Sequence, residues 1–119
     1  LKYAATLFIS ALLMSGCFQD ISLKLPPAEP LKLSVNVNAT PTANCSITLG
    51  STQYQGLEKW LSQNQSGWQT TSASYVPDTV VSGSSFSLNF IGSLAIANFS
   101  GGQYSHPTTQ AEYRFLQCE

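Results

Sequence analysis

Few residues in this chain could do chemistry. His106 is the single histidine, and it precedes Pro107 in a Gly- and Ser-rich stretch. A Ser-His-Asp arrangement would need a serine on an activating turn beside it, and no G-x-S-x-G pattern occurs. With 17 serines in the chain, a triad of His106, Asp78 and some serine carries almost no information. A carboxylate pair could hydrolyse glycosides. Of the acids beyond the apolar start, Asp20 and Glu29 fall in a Pro-rich stretch, Glu119 is the last residue and Glu58 adjoins Lys59; Asp78 and Glu112 remain. None of these residues has metal-ligand spacing, and there is no Gly-rich phosphate loop. The chain is therefore expected to be no enzyme, with neither metal nor cofactor.

Composition narrows the classes further. The 119 residues, 12.8 kDa, suit one domain. Only 9% are charged, and the net charge is -1. Five basic residues cannot form a stripe that tracks phosphates, so nucleic acid is not an expected partner. Hydrophobic residues reach 43%, too many for a charge-driven disordered chain. Ser, Thr, Gln and Asn supply 42 of the 119 residues, which predicts a wet surface rich in hydroxyls and amides.

The start of the chain, LKYAATLFISALLMSGC, carries more specific information. Lys2 is basic. Ala4 to Met14 is an apolar run interrupted by Thr6 and Ser10, and it falls short of the ~20 residues that span a bilayer. Ser15 and Gly16 stand directly before Cys17. This order resembles a secretory signal ending in the lipobox of bacterial lipoproteins, with Met14 where that pattern has Leu. The resemblance covers about seventeen residues. It implies a signal peptide over 1–16, cleavage before Cys17 and acylation of Cys17, including a palmitate-type chain. One acyl chain binds a membrane marginally, whereas several anchor firmly. Phe18 follows the cysteine in place of the Asp that favours inner-membrane retention in enteric lipoproteins. The resemblance thus implies the outer membrane, with the domain at its periplasmic face. Cys45 and Cys118 are then an even pair in an oxidising compartment, and they are expected to form a disulfide.

The elements that would position these residues follow from periodicity. Residues 17–30 read as a lipidated cysteine and a Pro-rich spacer, with the globular domain over 31–119. Leu31 to Ala39 alternate as a strand with one buried face, and Cys45, Ile47 and Leu49 give a second. Residues 52–64 predict a helix, with Thr52 and Gln55 at capping-box spacing and Leu57, Trp60, Leu61 and Asn64 on one face. Gly56 weakens that helix, and Gly67 ends it. Residues 68–76 have strand composition. Phe86, Leu88 and Phe90, then a turn at Ile91–Ser93 and the run 94–99, predict a hairpin. A last strand is expected over 113–118, with Tyr113, Phe115 and Gln117 on one face.

This order predicts an α+β fold: an antiparallel sheet of about five to six strands, one helix packed on a face, and a single disulfide. The alternative is a β-sandwich with a short helix. Trp68 at the helix exit, Tyr75, and the polar loop 100–110 with Tyr104 and His106 are the expected contact surface. The expected role is a lipid-anchored periplasmic domain that binds a protein, in the manner of inhibitor or immunity-type lipoproteins. The alternative is an envelope module that binds glycan or peptidoglycan by stacking Trp68, Tyr75 or Tyr104 on sugars.

Overall fold

Alternating apolar side chains build one antiparallel sheet in the computed structural model, which describes residues 18–27 and 29–118. The strands are β1 (Leu31–Val37), β2 (Thr40–Ile47), β3 (Gln69–Thr70), β4 (Thr79–Ser82), β5 (Phe86–Ile91), β6 (Leu94–Phe99) and β7 (Gly102–Pro107). Their spatial order is β2-β1-β4-β5-β6-β7-β3. The described residues also form two helices, α1 (Thr52–Gln63) between β2 and β3, and α2 (Gln110–Tyr113) after β7. The described residues are mostly sheet, with seven strands in place of five to six, and show no second sheet of a sandwich. The signal peptide over 1–16 and Cys17 lie outside the described residues.

The β5–β6 hairpin matches its alternation. Phe86, Leu88 and Phe90 are buried, and Leu88 and Phe90 stand opposite Ala97 and Ala95. Small residues opposite large ones leave space above β6 for the Phe90 ring. Trp60 of α1 packs edge-on against Phe90, with ring centroids 5.0 Å apart. Such edge-on pairs add about 1 kcal/mol beyond their buried area.

Helix α1 is capped one residue earlier than expected. Ser51 is the N-cap, and its hydroxyl accepts a hydrogen bond from the Tyr54 N–H at 3.1 Å. Tyr54, Leu57, Trp60 and Leu61 form its buried stripe. The helix carries the chain from β2 at one edge of the sheet to β3 at the other. The return from β3 to β4 crosses the opposite face. The side chain of Gln103, which alternates away from Tyr104, donates to the carbonyls of Thr71 and Ala73 on that crossover. Ile96 on the same face is fully buried yet stands apart from the main core.

Four expectations change. The polar loop expected over 100–110 contains β7, paired with β6 from Phe99↔Gly102 to Leu94↔Pro107. Its residues are half-buried on both faces, so it shows no alternation. The last strand is instead α2 and a turn, which bury Tyr113 and Leu116 at helical spacing. The strand expected over 68–76 shrinks to Gln69–Thr70, and β4, unforeseen, joins β1 to β5. The segment expected as a spacer lies along the body. Ile21 is buried in the core, Leu23 and Leu25 pack against it, and the Tyr54 hydroxyl donates to the Pro26 carbonyl.

The expected disulfide is present. Cys45 on β2 is bonded to Cys118, 73 positions later, with Cα atoms 5.8 Å apart. It ties the β2 edge to the segment after α2.

Candidate functional site

The structure does not gather the four expected contact residues on one surface. Trp68 is fully buried, and its indole N–H donates to the Asn64 carbonyl at 2.6 Å. This corrects its assignment as an exposed ring. Its burial comes from three sides. Gln19 pairs with its backbone, and the rings of Trp60, edge-on, and His106 have centroids 6.1 and 4.9 Å from its own.

His106 is half-buried on β7 as part of this packing. Its Nε2 stands 2.9 Å from the Ser66 carbonyl oxygen and its Nδ1 2.6 Å from that of Pro107. Both nitrogens face backbone carbonyl oxygens, and a neutral ring donates to one of them at a time. Tyr104, two residues earlier on the same face of β7, tilts against Phe99 at 5.3 Å. Tyr75 lies on the crossover, with its hydroxyl 3.4 Å from that of Thr71. The sheet therefore separates Tyr75 from the other three.

The carboxylates are also dispersed. Glu112 accepts from the Trp60 indole N–H at 3.2 Å and from the Thr109 hydroxyl at 3.3 Å. Glu29 accepts from the Ser84 N–H and hydroxyl, at 3.2 and 2.8 Å. Both clamp neighbouring segments. Among the described residues no three His, Cys, Asp or Glu side chains converge as a metal site. No described helix is long and apolar enough to cross a membrane.

The feature that sequence reasoning missed is apolar. Val37 at the end of β1 and Val76 on the crossover are 55% and 63% exposed. With Ala39, Pro77 and Ile91 they line a shallow open groove of about 360 Å³. Its walls are pinned together. The Asn36 N–H donates to the Asp78 carbonyl at 2.8 Å, and the Asn36 side chain donates to that of Pro77 at 3.3 Å. The hairpin tip beside it holds Asn38 and Ala39 at φ of 50° and 64°. That is the geometry of a tight two-residue turn, in which the Cβ of Ala39 is disfavoured. Alternation placed Val37 on the buried face. At the end of β1 it is exposed instead, beside a register shift in which Thr42 of β2 is the extra residue, and nothing in the local sequence marks this.

The chain matches no protein-family model, and comparison with the curated proteins and with the solved structures returns no match.

Proposed function

We propose that this chain is a lipid-anchored domain at the periplasmic face of the outer membrane that binds another protein, acting by occupancy and not by catalysis. Inhibitor or immunity-type lipoproteins are the nearest functional analogy. Two features support the address: the lipobox-like order ending at Cys17, and a disulfide of the kind that persists in oxidising compartments.

The observation that carries the binding role is the groove at Val37 and Val76. Single exposed apolar residues are ordinary on protein surfaces, but here two chain segments present theirs together on a hydrogen-bonded frame. A rigid apolar face loses little conformational freedom on docking. The occupant that fits is the apolar face of a folded protein, since Asp78 is the one charged residue lining the groove. The glycan alternative is less well supported, because Trp68 has no exposed ring to offer a sugar.

Site-specific photocrosslinking in intact cells tests this reading. A benzophenone side chain at position 76 is expected to give one discrete protein adduct, and one at exposed Gln55 on α1 none. The V37D substitution should abolish the adduct. No adduct from position 76, or an adduct that survives V37D, rules out the groove as the binding surface.

A further inference from the structure

The segment that follows Cys17 is fixed to the sheet. Gln19 and Trp68 exchange backbone hydrogen bonds of 2.8 and 3.0 Å, and the Ile21 N–H donates to the Gln65 carbonyl at 2.9 Å. This antiparallel bridge places Gln19 beside the chain that enters β3. Cys17 stands two residues before Gln19 in the sequence. A free spacer would let the domain tumble above the lipid. A two-residue link to a hydrogen-bonded strand does not.

The surface around this exit is suited to a bilayer. Phe18 is 55% exposed beside Cys17. Aromatic rings at that position partition into the headgroup boundary. From Trp60 to Pro77 the chain carries no Asp, Glu, Lys or Arg, so the turn at Gln65–Gly67 and β3 present only amides and hydroxyls. Asp20 is the nearest charge in sequence, and Lys24 and Glu58 line a depression on the α1 side of Gln65. Headgroups can satisfy amides and hydroxyls, and no array of charges has to be dehydrated.

We propose that the β3 edge lies directly on the bilayer, with Phe18 seated at the headgroup boundary and the sheet standing edge-on. The inference rests on acylation of Cys17. β2 is six positions from β3 in the sheet, so it points away from the membrane, roughly 29 Å along the sheet at ordinary strand spacing. The groove at Val37 and Val76 then stands clear of the lipid, open to a partner in the periplasm.

The test uses the full chain, produced in a bacterial envelope and reconstituted into phosphatidylethanolamine–phosphatidylglycerol vesicles with brominated acyl chains. F18W and Q69W place a reporter indole at the β3 edge, and V76W places one at the groove. Intact mass and vesicle flotation are measured first. Brominated lipid is expected to quench the added emission of F18W and Q69W by about half and to leave that of V76W unchanged. An unacylated protein that does not float overturns the anchor and this inference together. An acylated protein that floats, with F18W and Q69W quenched no more than V76W, overturns the edge-on docking alone. Quenching of V76W above the other two would place the opposite surface on the lipid and also overturn it.

Discussion

The backbones of Gln19 and Trp68 pair as neighbours in a sheet, which makes the N-terminal segment part of the fold. Burying an Ile side chain is worth about 1.5–3 kcal/mol, and Ile21 is one of several apolar residues this segment adds to the core. A chain that begins at Leu31 should unfold at lower denaturant, with a loss of at least about 2 kcal/mol. The Q19P change, which removes the N–H bonded to the Trp68 carbonyl, should lose a smaller part of that. Equilibrium urea unfolding checks both, and a Leu31 start as stable as the longer chain would refute the packing.

Gly56 sits inside α1, where glycine costs about 1 kcal/mol relative to alanine. Its reason is Phe115. A Cβ added at Gly56 would stand 2.8 Å from the edge of that ring. Alanine at 56 should therefore gain nothing in the natural chain, because the ring must move. In an F115A background the same change should stabilise by about 1 kcal/mol. A double-mutant cycle by thermal unfolding measures the coupling, and equal effects of G56A in both backgrounds would contradict the contact.

Legibility in the sequence follows the range of the contacts involved. The β5–β6 hairpin and α1 were readable because Phe86, Leu88 and Phe90, and Leu57, Trp60 and Leu61, repeat at the period of their own element. The partnership of Cys45 and Cys118 followed from the cysteine count once Cys17 was set aside. β7 was not readable. Its Gly-Gln-Tyr-Ser-His-Pro run has partners on both faces, core on one and crossover on the other, and that erases alternation. Trp68 was misjudged for a similar reason. Its neighbours Gly67 and Gln69 look like surface, and what buries it arrives from Gln19 and His106, at distant points in the chain. The groove was invisible because Val37 and Val76 meet only through the β1–β4 pairing.

The Cys45–Cys118 bond closes a loop of 73 positions. The chain-entropy relation assigns such a loop about 4 kcal/mol. That is comparable to the whole stability of a small domain. Reduction should therefore lower the urea midpoint sharply and loosen α2 and the β2 edge first, since those are the parts it joins. Hydrogen exchange on the oxidised and reduced protein checks the order. Uniform loss of protection, or early loss at the β5–β6 hairpin, would show that the bond acts elsewhere.

Tyr113 is expected to contribute to the loss of stability at alkaline pH. Its ring stacks on Phe90 at 4.8 Å, and its hydroxyl donates to the Gly92 carbonyl at 2.7 Å. Burial, and then the negative charge of Asp78, raise its pKa above the ordinary value of 10.0. The folded state thus holds the phenolic proton to higher pH than the unfolded chain does. Between the two values the folded state binds more protons, so stability falls as pH rises. The contribution is intact below 10.0 and is lost as pH climbs through the folded value. D78N should move the phenolate transition of Tyr113 to lower pH, read by tyrosinate absorbance. Y113F should cost about 1 kcal/mol at neutral pH, through the lost bond to Gly92, and should flatten the alkaline decline. If Y113F kept the full alkaline slope, the decline would have to come from another group.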